Sequence, residues 1–271
     1  MKKLISFLFL IYNKFFTPLE VGLQLYSLRN EFKNDVPGTL KLIHNLGIKY
    51  IEGGDTYGLP LEMFKNLLEK NDLKMVSIGA SYEELQDNPA KVIQFAKDFG
   101  AKYVMVAWIP HDGNNFGFND IKNATDIFNK AGKLLKKEGL SLTYHPHGYE
   151  FRPYRNGTLF DYMAKNAKNF YFEIDFFWVK QGGADPMALL KKYQKKILLL
   201  HLKDRKIGTK SNNTGQVDDE TNVVLGSGDL GIKDLLSEAK KTRIKYMFIE
   251  DESPDVIQQL PKSLEYLKSL D

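Results

Sequence analysis

Residues 137–151 read KEGLSLTYHPHGYEF, and they carry a helix end, a strand and a chemistry-bearing turn in close succession. Glu138-Gly139-Leu140 puts a glycine just past a helical stretch, where the left-handed conformation that ends a helix costs glycine nothing. Leu140–Thr143 then forms a short apolar run, and the run ends in His145, His147 and Glu150. Helix, glycine, strand and polar strand end make one unit. The fold depends on how often that unit recurs.

The same punctuation appears at Leu46-Gly47-Ile48 and Phe99-Gly100-Ala101. Short, nearly continuous apolar runs lie at Val21–Leu25, Tyr50–Ile51 with its flanks, Lys74–Ile78, Tyr103–Ala107, Leu140–Thr143, Phe170–Ile174, Ile197–Leu202 and Tyr246–Ile249. Strands buried on both faces have this character. Between them lie segments with helical spacing, such as Leu40, Ile43 and Leu46; Met63 and Leu67; Val92, Phe95, Ala96 and Phe99; and Ile127, Ala131, Leu134 and Leu135. Eight alternations of strand and helix predict an α/β chain folded as a single (β/α)8 TIM barrel. A doubly wound open sheet would want a glycine-rich turn after its first strand, and Gln24-Leu25-Tyr26-Ser27 is not one.

The chain has 271 residues, 43% hydrophobic and 27% charged, with a net charge of +4 and no cysteine. Disulfides, cysteine nucleophiles and thiolate metal sites are excluded. Lys2, Lys3 and Lys14 precede the first element, so the body is nearly neutral and offers no basic stripe to a nucleic acid. MKKLISFLFLIYNKFF has two lysines and then an apolar run, Leu4–Tyr12, in the pattern of a secretory signal and too short to span a bilayer. No A-x-A cleavage site follows. The expectation is an N-terminal leader over 1–19, a candidate signal peptide exporting the protein to the periplasm, and one barrel over 20–271. An N-terminal helix on a cytoplasmic protein is the alternative. The polar stretch Gly208–Asn222 is a lid or rim for the site, or a surface insertion.

In a barrel of this kind the carboxyl ends of the strands build the site. Those ends carry Gln24, Glu52, Trp108 with His111, then His145, His147 and Glu150, then Asp175 beside Trp178, then His201 and Lys203, and finally Glu250 and Asp251. Singly, each has a bland reading: a strand-ending histidine is usually a hydrogen-bonded structural residue, and an acid often caps a helix. Together, several carboxylates would crowd one axis, and their repulsion calls for a cation. Oxygen and nitrogen ligands without sulfur suit Mn, Zn, Co or Fe better than Ca.

Six ordered segments, GLQLYSLRN (22–30), YHPHGYEF (144–151), EIDFFWVKQGGADP (173–186), LLLHLKDRK (198–206), LGSGDLG (225–231) and FIEDESP (248–254), carry a family resemblance. From about residue 20 to its end the chain resembles the sugar phosphate isomerase/epimerase family of xylose isomerase-like barrels. The resemblance implies one divalent metal held by Glu, Asp, His and Glu from strands five to eight, and no organic cofactor. Asp175, His201 and Glu250 fall on that pattern. At strand five the chain departs from it: His145 stands where many members have glutamate, and Glu150 comes five residues later. Glu150 curling back is the expected fourth ligand, with His145 as the alternative.

The implied activity is isomerisation or epimerisation of a sugar by proton abstraction next to a carbonyl, through an enediolate, with Glu150 and Glu250 as the catalytic carboxylates. Lys203 steadies the developing charge, or else is a surface lysine pairing with Asp204. Gln24, Glu52, Trp108, His145, His147 and Trp178 are the candidate substrate contacts. A keto-sugar dehydratase, hydratase or lyase could use the same metal site, and a non-catalytic carbohydrate-binding barrel could keep the pocket. An apurinic endonuclease would need more ligands and a more basic body. The expected partner is a small sugar or keto-sugar, with no nucleic acid and no membrane span; a homo-oligomer is left open.

Overall fold

The computed structural model describes residues 19–270. The expected leader, apart from Leu19, lies outside the described residues. Eight strands form one closed sheet: β1 (Glu20–Gln24), β2 (Tyr50–Gly53), β3 (Lys74–Gly79), β4 (Tyr103–Val106), β5 (Ser141–Tyr144), β6 (Tyr171–Asp175), β7 (Ile197–Leu202) and β8 (Tyr246–Ile249). Each pairs in parallel with its neighbours in chain order, and β1 closes the ring by pairing with β8. This is the (β/α)8 barrel that the alternation predicts. Every apolar run coincides with a strand to within two residues at either end.

The glycines singled out in the sequence end their helices as expected: Gly47, Gly100 and Gly139 sit at φ 78°, 65° and 78°. One helical face is rotated by one position from the expected one: Phe64 and Leu68 are buried while Met63 is exposed. On the helix before β5, Ala131 and Leu135 are buried as expected and Leu134 is exposed. Phe64 takes the inner place because its ring packs between Tyr57 and Phe99, with centroids 6.1 and 6.0 Å away. An aromatic ring buries more apolar area than the thioether beside it.

The core has two parts. The larger lies between the sheet and its surrounding helices. The smaller fills the barrel's amino-terminal interior with Val76, Leu199, Tyr246 and Phe248, against which Tyr50 and Tyr103 pack. Side chains alternate along a strand, so the interior rows continue upward from this plug: Leu199, His201 and Lys203 on β7 and its end, Tyr246, Phe248 and Glu250 on β8 and its end. Apolar below and ionisable above, the same rows hold the barrel shut and build the site.

Gly22 on β1 makes room for the plug. A Cβ there would lie 2.6 Å from the Tyr50 carbonyl oxygen and 2.7 Å from the Phe248 ring. Gly22→Ala is expected to destabilise the protein by about 1–3 kcal/mol, because backbone must move to accept the methyl. Equilibrium denaturant unfolding of the two proteins checks this. An unchanged midpoint would mean the strands slide freely past each other here.

Candidate metal centre

Four strand ends bring His145, Asp175, His201 and Glu250 together. Asp175 on β6 is the register partner of His201 on β7. His145 and Glu250 each stand one residue past a strand and are still held by its ladder, through His145 N–H to Val106 O (2.9 Å) and Glu250 N–H to Leu202 O (3.0 Å). One ligand-capable atom from each of the four lies within 4.8 Å of the others, and all four residues are buried.

The hydrogen-bond pattern shows what this group fits. Both ring nitrogens of His145, Asp175 Oδ2 and His201 Nδ1 are buried without a hydrogen-bond partner. Buried polar atoms are nearly always satisfied, and leaving one unsatisfied costs on the order of 1–3 kcal/mol. These orphans come from His145, Asp175 and His201, and a divalent cation taking one atom from each, with Glu250 as the fourth ligand, would satisfy three of the four at once. The group can hold a metal ion. The other Asp175 oxygen is committed, since Oδ1 accepts from Phe177 N–H at 2.7 Å and caps the short helix Phe176–Gln181.

The structure does not bring Glu150 into this group. Gly148, at φ 104°, turns the chain sharply after His147, and Tyr149–Phe151 form a single 3-10 turn. The Glu150 carboxylate folds back under that turn and accepts from Gly148 N–H (2.9 Å), from His147 N–H (3.1 Å) and from the Tyr144 hydroxyl. His145, the alternative, occupies the strand-five position.

Lys203 is no surface lysine. It is 2% exposed, with Nζ 3.0 Å from Glu250 Oε2, 3.8 Å from Asp175 Oδ2 and bonded to Glu252 Oε1. The ammonium also lies over the rings of Phe177 and Trp178. Asp204, its suggested surface partner, faces away and accepts from the N–H groups of Gly226 (2.8 Å), Gly228 (3.0 Å) and Leu230 (3.3 Å).

Beneath the group lies a second layer. Glu52 Oε1 accepts from His201 Nε2–H and from Gln24 Nε2, both at 2.7 Å. Glu173, two residues before Asp175 on β6, approaches His201 Nε2 at 3.3 Å and takes a long bond from the Thr143 hydroxyl. Glu173 and Glu252 were absent from the sequence expectations. The two-residue alternation from Asp175 back to Glu173 would have put both carboxylates on the inner face.

Electrostatics follow from burial and pairing. Burial alone would lower the His201 pKa, but the Glu250 and Glu173 carboxylates outweigh it and hold the pKa well above the usual histidine value. Burial likewise opposes the charge on Lys203, and Glu250, Glu252 and Asp175 together push its pKa above the ordinary lysine value. Glu250, despite burial, is held well below the carboxylate range by Lys203 and His201. Burial raises Asp175 to about 7 against the pull of Lys203, and raises Glu173 to about 8 with help from Glu52. His147 is lowered by burial to about 4, so its imidazole is neutral at pH 7.

A cavity of about 680 Å³ opens above the group. Gln24, Trp108, His145, His147, Trp178 and Glu250 line it, together with Tyr26 and Glu252. His147 Nδ1 and Trp178 Nε1 have no partner there. His111 is turned aside, bonding the Ile109 carbonyl through Nδ1 (2.7 Å) and stacking on Trp108. Glu52 does not line the cavity, so its contact is His201 rather than a substrate. The loop 208–222 forms part of the rim: Gly215 and Gln216 border the cavity, and Arg152 ties the loop at Asn213 to Asn114 and Phe116.

Parallel (β/α)8 topology, with a His, Asp, His, Glu group at the ends of strands five to eight, defines a TIM barrel built around a metal-capable centre. Residues 40–270 match the xylose isomerase-like TIM barrel family, and the chain belongs to it. Inosose dehydratases of Clostridium perfringens and Clostridium beijerinckii are 28% and 25% identical over 58% of this chain. The match spans about three fifths of the length of those relatives. Two sugar phosphate isomerase/epimerase structures from Parabacteroides distasonis superpose with TM-scores of 0.76 and 0.72, at 23% and 25% identity, covering 93% of this chain and 94% and 98% of theirs. An IolI protein with bound zinc shares the fold at a TM-score of 0.71 and 14% identity, over 93% of this chain and 96% of its own. No described helix is long and apolar enough to cross a membrane.

Proposed function

We propose that this chain is a divalent-metal-dependent enzyme that removes the proton next to the carbonyl of a keto-sugar or ketocyclitol and expels water from the neighbouring carbon. The observation that carries this reading is the withdrawal of Glu150. Two carboxylates facing each other across a pocket suit moving a proton between carbons. What faces this cavity is an unlike pair, the ionised Glu250 and the neutral imidazole of His147, with the Lys203 ammonium buried 3.0 Å behind the Glu250 carboxylate. Elimination needs a base for the C–H proton and a different group to serve the departing hydroxyl.

In the proposed reaction Glu250 takes the proton, the C–H electron pair becomes the new C=C bond, and the neighbouring C–O bond breaks. The hydroxyl leaves as water with the proton that Glu250 took, which returns Glu250 to its ionised form, and the neutral imidazole of His147 is placed to hydrogen-bond the departing oxygen while that proton transfers. Lys203 keeps Glu250 ionised and adds positive charge where the oxygen turns negative. A divalent ion held by His145, Asp175, His201 and Glu250 would polarise the carbonyl. Two imidazoles and two carboxylates fit Zn, Mn, Co or Fe. Trp108 and Trp178 offer flat faces to the apolar side of a ring. The dehydratase names of the Clostridium relatives support this outcome.

Isomerisation or epimerisation is the second reading, favoured by the likeness to the Parabacteroides protein at 25% identity. It shares the first step and differs only in returning the proton to carbon.

Metal analysis by mass spectrometry of the purified protein should find about one equivalent of Zn, Mn, Co or Fe, lost in His201→Ala and in Glu250→Gln. The loaded protein is then incubated with keto-sugars and ketocyclitols in D₂O. Deuterium uptake with enone absorbance supports elimination, and uptake with an isomeric sugar supports the second reading. A loaded protein that exchanges no substrate proton would sink both and leave a binding protein.

A further inference from the structure

Beneath the ligand group the Glu52 and Glu173 carboxylates have no place in the cavity wall, and both approach the same edge of one ring, Nε2 of His201. His201 faces two ways: Nδ1 lies 3.2 Å from Glu250 Oε2 on the ligand side, and Nε2 lies 2.7 Å from Glu52 Oε1 on the inner side. We propose that Glu52 is the positioning residue of the metal centre, its carboxylate holding His201 by Nε2–H so that Nδ1 is presented to the ligand group. The inference rests on the metal reading of the site and goes beyond it to a residue that touches neither metal nor substrate.

Three observations carry it. First, Glu52 is fully buried and absent from the cavity wall, so a sugar hydroxyl cannot be its partner. Second, Glu52 is itself fixed: its register partner Gln24 donates to the same Oε1 at 2.7 Å. The pairing of β2 with β3 also slips between Ile51 and Glu52, and such an irregularity re-aims a side chain. Third, an imidazole can flip and carry its proton on either nitrogen. A carboxylate on Nε2 selects the tautomer with Nδ1 bare, fixes the ring plane and raises the basicity of the ligating nitrogen. Glu173, at 3.3 Å from Nε2, backs the same edge.

The test is Co²⁺ titration of the metal-free full chain, read by competition with a chelator and by the visible absorption of the bound ion. Glu52→Gln keeps the size and an acceptor oxygen but removes the charge. It should weaken Co²⁺ binding about 10–100-fold and change the visible band, the usual scale for losing a partner of a ligating histidine. Gln24→Met removes the donor that anchors Glu52 and leaves every ligand in place; it should change the band in the same direction with a smaller loss of affinity. Thermal unfolding of the metal-free variants separates a general loss of structure from this effect, since positioning predicts a loss of affinity larger than any loss of stability accounts for. If Glu52→Gln and Gln24→Met bind Co²⁺ as the parent does while His201→Ala has lost it, the positioning role is overturned and the metal site stands. If His201→Ala binds as the parent does, the metal site itself is wrong.

Discussion

His145→Ala is expected to abolish tight metal binding, while Glu150→Gln leaves affinity within a few-fold of the parent. Both ring nitrogens of His145 are buried and unpartnered beside Asp175 Oδ2 and His201 Nδ1, so this imidazole has no evident task except a ligand's. Losing a ligand should cost more than the roughly 10–100-fold typical of losing a ligand's partner. Glu150 is the reverse case. Its oxygens are spent on two backbone N–H groups and the Tyr144 hydroxyl, so its removal should damage the turn instead of the metal. An amide in its place turns a donor toward donors, at a cost of about 1–3 kcal/mol.

The pH dependence gives that distinction a second readout. Burial, partly offset by the Tyr144 hydroxyl and the two amides, raises Glu150 to about 7 from its ordinary 4.5. A carboxyl raised on folding contributes stability that is full below the unfolded value and is lost as pH rises through the folded one. The span corresponds to about 3 kcal/mol at most. Glu150→Gln has no such titration. The variant should therefore be less stable than the parent at pH 5, and the gap should close toward pH 8, in unfolding measured on metal-free protein. A gap that widens with pH, or metal lost from Glu150→Gln but kept in His145→Ala, would restore Glu150 as the ligand.

The contrast between these two residues also shows which features a sequence exposes. Strand positions were legible because a barrel strand is buried on both faces and leaves a short apolar run bounded by glycine or polar residues. Asp175 and Glu250 were legible because each follows such a run directly, and His201 because it is the one polar residue near the end of its run; in all three places the ladder fixes the direction. Glu150 was not, because its place depends on one φ of 104° at Gly148 and on which backbone amides happen to lie underneath. Pattern counting cannot see a turn that captures its own carboxylate. Lys203 was equally ambiguous in sequence: LHLKD offers Asp204 as a neighbour, and only the closed barrel reveals that strand alternation sends Lys203 inward and Asp204 out to the loop after β7. Glu52 fell at a strand end like a substrate contact, yet register with Gln24 and the slip against β3 turn it under His201.

Lys203→Met is expected to lower the stability of the metal-free protein by about 3–5 kcal/mol, the scale for breaking a buried ion pair by removing one partner. The ammonium is the shared counter-charge of Glu250, Glu252 and Asp175. Methionine fills a similar volume and can pack on Phe177 and Trp178, so lost packing is a minor part of the change. What remains is three carboxylates without their lysine, and some must take up protons for the fold to survive. In a chain of this size the loss should appear as a fall on the order of 10 °C in the unfolding midpoint. Saturating Zn²⁺ or Mn²⁺ should return much of that loss, because a dication beside Asp175 and Glu250 restores the missing positive charge, and ligand binding to the folded state alone adds to stability. Turnover should not return with it: the carboxylate that takes the proton would be ionised by a cation on its other side, with nothing left to steady the oxygen where charge develops. A variant as stable as the parent without metal would show that the three carboxylates are already largely protonated and that Lys203 is not their counter-charge. A destabilised variant that metal rescues in turnover as well as in stability would make Lys203 an electrostatic brace with no part in the chemistry.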